Sequence, residues 1–363
     1  MSQLTLHTSP YSENPYAWDV PDESGDFATE AHDELGRLST VFLINDIVTS
    51  TVGGVLSCLL LYLVLYRTTG PLKQYRQMLL ICCLTDTVYW LVDNSMWMKL
   101  KQKDGVFMLK MEGIGGLMRW PYRVFLVAFY VWVLCFVNVI LPVQLYFRYY
   151  SLVKNRILSG TRTIGLCAVA ALVTFPVFAC TYLSFGWSSK EQPGFNYGTL
   201  WFKEFPMPQL LFGDARSPYQ KGFLYIGGGV ITASYVLVMF IGYRTLQRIR
   251  NMNDSYSEKT RRLQRQLTNF MIVQAVIPMF TSVLPVMVIV SPSLYYTEDD
   301  RLCLYSVILI SWIPVINPII TIVVIVPFRR IVFRAVTSKI STVHTLSDTS
   351  TIRHQSAPEN MII

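Results

Sequence analysis

Residues 243–290 read YRTLQRIRNMNDSYSEKTRRLQRQLTNFMIVQAVIPMFTSVLPVMVIV. Arg244, Arg248, Arg250, Lys259, Arg261, Arg262 and Arg265 stand against only Asp254 and Glu258, and an apolar run from Leu267 to Val290 follows without a break. Pro278 and Pro285 lie inside that run. A proline deletes one i to i−4 hydrogen bond and clashes with the preceding turn, at about 3 kcal/mol in a water-soluble helix. A bilayer helix tolerates it better, because neighbouring helices re-satisfy the freed carbonyls. The stretch predicts a charged segment joined to a bendable membrane rod. On helical spacing Lys259, Arg262 and Gln266 share one face, and Leu263, Leu267, Phe270 and Gln274 a neighbouring one. A stop-transfer flank explains the charges but not this continuous two-faced helix, so the spacing favours an element that moves.

The rest of the chain has the same character. Hydrophobic residues make up 52% of it and charged residues 15%, against about 25% charged in soluble domains. The charges fall in short bands between long apolar runs, and about 20 such residues cross a hydrocarbon core. Seven spans are expected, near 41–66, 75–97, 122–147, 163–186, 222–243, 267–290 and 303–326, giving an all-α bundle of transmembrane helices. Segments 67–76, 148–162, 244–266 and the C-terminal tail together carry nineteen bases against four acids; the N-terminal tail, 98–121, 187–221 and 291–302 carry eleven against sixteen. The positive-inside bias places the N-terminus outside and the C-terminus in the cytoplasm. The charged segment 98–121, with Lys99, Lys101, Lys103, Lys110 and Arg119, disagrees with that count. Three regions are expected: an acidic outer tail at 1–40, the membrane domain at 41–326, and a cytoplasmic segment at 327–363. The last opens with Pro327-Phe328-Arg329-Arg330-Ile331-Val332-Phe333-Arg334, which suits a short helix on the inner membrane surface, where bases meet anionic lipid.

Seven cysteines form no framework; only Cys180 and Cys303 lie near expected outer ends, so one bridge is possible. The four histidines all sit in the tails, which argues against a metal site in the membrane. No nucleophile–base pair, phosphate loop or carboxylate pair in a soluble cleft is evident, so neither an enzyme nor a cofactor is expected. The net charge of +8 reads as membrane topology before nucleic-acid affinity.

Carboxylates inside spans are costly and usually face the bundle interior. Asp86 and Asp93 share a face of span 2. Asp86 suits a structural or ion-linked interior role, and Asp93 is either wet or turned toward a ligand cavity. Asn138 and Asn317 are interior amides whose default role is helix packing; Asn317-Pro318, one turn after Pro314, makes span 7 the most broken of the seven. Arg148, at the expected inner end of span 3, reads as a snorkelling side chain at the headgroup boundary. The aromatic segment 187–221, with Trp201, either roofs an apolar pocket or lies along the membrane interface.

Several short motifs stand in a recognisable order: Gly70-Pro71-Leu72-Lys73-Gln74-Tyr75, Leu84-Thr85-Asp86, Phe147-Arg148-Tyr149-Tyr150, Gln264-Arg265-Gln266-Leu267 running to Gln274-Ala275-Val276-Ile277-Pro278, and Asn317-Pro318-Ile319-Ile320. Together they resemble nematode seven-transmembrane chemosensory G-protein-coupled receptors of the Str and Srd type, over residues 41–334. Phe147 stands where rhodopsin-like receptors carry an acid, Thr321 where they carry a tyrosine, and no cysteine lies between 98 and 122. These departures suit a divergent chemosensory branch. The resemblance implies a receptor at the plasma membrane, in sensory cilia, coupling a small or volatile ligand to a heterotrimeric G protein through movement of span 6. The ligand contacts it implies are Asp93, Asn138, Trp201 and Phe280. The G-protein contacts are Arg148, Tyr149, Lys259, Arg262 and Arg265, and the switch residues Asp86, Pro278, Asn317 and Pro318. The alternative is a seven-helix ligand-gated channel subunit like insect odorant receptors, which requires the N-terminus inside.

Overall fold

A computed structural model describes residues 36–68, 73, 75–103, 105–154, 158–191, 210–251, 273, 275–295 and 300–334. In order it contains α1 (Arg37–Tyr66), α2 (Arg76–Met96), β1 (Met98–Lys103), β2 (Val106–Met111), a 3₁₀ turn (Ile114–Leu117), α3 (Trp120–Lys154), α4 (Gly160–Glu191), β3 (Leu211–Asp214) and α5 (Pro218–Asn251). A π-helical turn (Met279–Val283) then leads into α6 (Leu284–Tyr295), followed by α7 (Asp300–Ser311) and α8 (Ile313–Val324). A last helix, α9, covers 326–334.

Among the described residues five helices are long and apolar enough to cross a membrane, or six when α7 and α8, bent by 40°, form one span. The shortfall from seven is α2. Its 21 residues reach about 30 Å at 1.5 Å per residue, but Asp86 and Asp93 lower its hydropathy. α3 is the central helix and packs on α2, α4 and α5. α1 meets α2 closely because Gly53 and Gly54 leave room for the Trp90 ring: a Cβ on Gly54 would lie 2.6 Å from it. Trp90 Nε1 then donates to the Ser50 carbonyl at 2.9 Å.

The helix interiors hold several prolines, and hydroxyls capture the carbonyls those prolines free. Pro142 in α3 leaves the Asn138 carbonyl open, and Ser234 Oγ donates to it at 3.1 Å. Pro314, at the start of α8, leaves the Ile310 carbonyl open, and Tyr89 Oη donates to it at 3.4 Å. Pro292 in α6 does the same for Val288, which accepts from Ser291 Oγ at 3.5 Å. Pro285 lies just past the π-turn, where the Leu284 N–H reaches back to the Met279 carbonyl. That widened turn relieves the contact between the Pro285 ring and the carbonyl four residues earlier.

Segment 98–121, expected as a charged loop, instead begins with a hairpin. β1 and β2 pair antiparallel from Met98↔Met111 to Lys103↔Val106, and β3 adds to β2 through Phe107↔Gly213. Two backbone features set the hairpin. Trp97 ends α2 in a left-handed conformation (φ 41°) and turns the chain into β1, and Gly105 takes φ 79° at the tip. Lys99 and Lys101 share one face of β1 and are buried, while Leu100 is buried on the other. We call this end of the bundle the sheet end, and the opposite end, with α9, the basic end. In α9 Phe328 is buried, whereas Arg329, Arg330, Phe333 and Arg334 are exposed.

Candidate functional site

Beneath the sheet, between α3, α5 and α6, lies an apolar cavity of about 110 Å³. Leu100, Phe107 and Leu109 of the hairpin form its roof, and Asn138 belongs to its lining. A roof was one of the two readings of the aromatic segment 187–221; within the described residues the roof comes chiefly from the lysine-rich segment before α3. β1 is also tied to α6. With the Gln102 amide oriented to satisfy both its ends, Nε2 donates to the Ile289 carbonyl (2.8 Å) and Oε1 accepts from Ser293 Oγ (2.6 Å) and the Ser293 N–H.

Asn138 joins this cavity to the π-turn. Its Nδ2 donates to the Leu134 carbonyl (2.9 Å) and to Ser282 Oγ (2.8 Å), and Tyr235 Oη reaches its Oδ1 at 3.5 Å. One buried amide thus braces α3, α5 and the turn where the sixth span is broken. Ser282 is the inward residue of that turn. Phe280, expected as a ligand contact, is 57% exposed and points out of the bundle. Residues two apart lie on roughly opposite sides of a helix, and Ser282 has taken the inner one.

Asp93 also lies outside the cavity lining, one residue removed from it. Tyr89 Oη approaches Tyr130 Oη at 3.1 Å, and the Tyr130 hydroxyl bonds the Asp93 carboxylate. Tyr130 itself lines the cavity. At the same depth Asn45 Nδ2 donates to Ser311 Oγ (3.0 Å) and Trp312 Nε1 donates to Asn45 Oδ1 (3.0 Å), fastening α1 to the bend between α7 and α8.

Three of the four switch candidates meet in a second, smaller cleft. Asn317 Nδ2 donates to Asp86 Oδ1 at 2.9 Å. Asp86, Asn317 and Pro278 line one space of about 40 Å³, together with Gln144. Pro318 is buried in α8 beside it.

At the basic end the structure corrects the reading of Arg148. It is not a snorkelling side chain but is buried, 8% exposed, near Tyr75 and Cys82. The physical reason is the length of α3, which continues to Lys154 where an end near 147 was expected. Arg148 therefore sits inside the helix, below an aromatic pair of Tyr75 and Phe147 (centroids 6.1 Å apart). Tyr149 is half-buried. Trp201, Lys259, Arg262 and Arg265 lie outside the described residues. Cys180 and Cys303 are both free thiols.

Outside the helices, Glu112 fastens the sheet. It accepts from Lys99 Nζ at 2.7 Å and from Lys110 Nζ at 2.9 Å. Lys99 also donates to Ser39 Oγ (2.9 Å) and lies over the Phe42 ring. Burial alone would raise the Glu112 carboxyl, but the hydrogen bonds and charges of the two lysines outweigh it and hold the group below its ordinary range.

A helical bundle of membrane-spanning rods, closed at one end by a small sheet over an apolar cavity, defines a multi-pass membrane protein. Residues 42–334 match the family described as "Serpentine type 7TM GPCR chemoreceptor Srd", and the chain belongs to that family. It is similar to "Serpentine receptor class delta-33" of Caenorhabditis elegans, with 24% identity over 308 residues that cover 82% of this chain and 86% of that protein. The Srd assignment narrows the resemblance drawn from the short motifs.

Proposed function

We propose that this chemoreceptor binds a small molecule in the cavity under the sheet and passes the event to a heterotrimeric G protein at the basic end. The observation that carries the reading is Asn138, which lines the cavity and holds the π-turn through Ser282. The sheet end faces outward, as the charge bias favours, at the plasma membrane of a sensory cell. A ligand that alters the cavity changes the relative stability of two positions of the sixth span, and shifts their equilibrium only by its differential affinity for them. β1 gives a second route, because Leu100 touches the cavity and Gln102 bonds α6. In the active position the basic end opens and exposes Arg148 and Tyr149; Lys259, Arg262 and Arg265 remain the further G-protein contacts proposed from the sequence.

The test is a ligand-triggered G-protein assay in cells on Arg148→Ala and Pro278→Ala receptors at matched surface expression. Responses at least about tenfold weaker than wild type are expected, the equivalent of roughly 1.4 kcal/mol of switching free energy. Unaltered responses sink both assignments. An epitope on residues 1–40, stained on intact cells, separates this reading from a channel of opposite orientation.

A further inference from the structure

We propose that Gln220 is the polar anchor of the cavity under the sheet, and that it selects small neutral molecules carrying a hydrogen-bond acceptor such as a carbonyl oxygen. This rests on the reading of that cavity as the ligand site. Gln220 lies near the start of α5, is fully buried, and belongs to the cavity lining. Its two ends are treated differently. Oε1 accepts from Ser184 Oγ at 2.6 Å, while Nε2 is buried with no partner among the described residues. β3 holds the amide in place from above: a Cβ on Gly213 would lie 3.2 Å from Oε1.

An amide N–H buried without an acceptor is disfavoured, and folded proteins rarely leave one so. The other polar side chains of the lining, Asn138 and Tyr130, are committed elsewhere. A water needs two to four polar partners to settle in such a place, and around Gln220 the walls are apolar. An acceptor on an otherwise apolar ligand supplies what the site lacks. No ionised side chain lines the cavity, so a charged ligand would go uncompensated. Size narrows the class further: an apolar cavity of about 150 Å³ holds benzene, and about 110 Å³ therefore suits a molecule no larger than that, of at most about six heavy atoms.

The test uses the purified full-length receptor in lipid nanodiscs, without G protein, and three probes of one shape: cyclopentanone, methylenecyclopentane and cyclopentanol. Binding is read by ligand-observed saturation-transfer NMR. Wild type is expected to hold cyclopentanone about tenfold more tightly than methylenecyclopentane, the worth of one hydrogen bond to a buried donor. In Gln220→Leu that ratio falls to about one. A ratio unchanged in the variant, a preference for cyclopentanol over cyclopentanone, or no binding of any probe overturns the proposal. Should Gln220→Leu not give folded protein, Gly228→Leu decides, because it adds bulk at a lining position whose Cβ direction is open. It is expected to weaken cyclopentanone about tenfold or more; unchanged binding overturns the placement. Failure of G-protein coupling would leave this result standing. A receptor that signals from the cavity without a ketone preference would overturn the Gln220 proposal alone.

Discussion

Beneath the sheet the interior is hollow and almost wholly apolar, while around Asp86 and Asn317 it is nearly filled and mixes an acid, two amides and two threonines with apolar side chains. The two spaces, about 110 and 40 Å³, lie on opposite sides of Asn138. In the first, rigidity comes from a hydrogen-bonded sheet, and space is left for something else. In the second, no such space exists, but the chain is broken repeatedly, by Pro278 and the π-turn on one side and by Pro314 and Pro318 on the other. An empty space enclosed by stiff elements suits recognition; a filled space bounded by broken helices suits rearrangement. On the proposed function the contrast separates binding from switching, with Asn138 as the joint between them.

The largest effect is expected where the two regions are joined. Asn138→Leu leaves the Ser282 hydroxyl and the Tyr235 hydroxyl without their shared partner, and pushes bulk against the cavity. The thermal midpoint of the purified receptor should fall by the equivalent of about 2 kcal/mol. A loss no greater than the ~0.6 kcal/mol typical of single interhelical bonds in membranes would show that the two regions are not joined there. A step smaller, Asp86→Leu removes the acceptor from Asn317 and should cost about 1 kcal/mol, with little change in ligand binding. A strong loss of binding in Asp86→Leu would erase the distinction between the two spaces.

The smallest effect concerns the sheet itself. Because Glu112 is held below its ordinary range in the folded state, its contribution to stability is complete above the unfolded carboxylate range. That contribution is lost as pH falls through the depressed folded value. Solvent screening keeps it small, since the carboxylate is partly exposed. Hydrogen–deuterium exchange of the β1 and β2 amides should therefore show the sheet loosening on acidification. Lys99→Met should flatten that dependence, and an unchanged pH profile in the variant would remove Glu112 from the role.

Much of the bundle was legible because hydrocarbon imposes long apolar runs, and the charges between them mark the ends. The break in the sixth span was legible from Pro278 and Pro285 for a similar reason, since proline acts through its own chain. Other features depend on partners distant in sequence. Asp86 and Asn317 each stood out, yet their 2.9 Å contact joins residues 231 apart. Ser234, Tyr89 and Ser291 catch carbonyls freed by prolines, and nothing in a serine or tyrosine alone announces that. The hairpin is a different case, because its signal was present. Met98 to Lys101 alternates apolar and polar side chains, Val106 to Leu109 is a short apolar run, and Asp104-Gly105 between two such runs is a short-range hairpin mark. Its lysines drew the eye to topology, although Lys99 and Lys101 are buried rather than exposed to solvent, Lys99 against Glu112, Ser39 and Phe42. Arg148 was misplaced for a plainer reason, an α3 two turns longer than its apolar run.

The account stands most directly on whether the cavity under the sheet is where ligand acts. The decisive measurement is the dose–response of any agonist found in a cell-based screen, compared between wild type and Gly228→Leu at equal surface expression. The cavity-filled receptor is expected to need at least about tenfold more agonist than wild type. An unchanged dose–response would contradict the account.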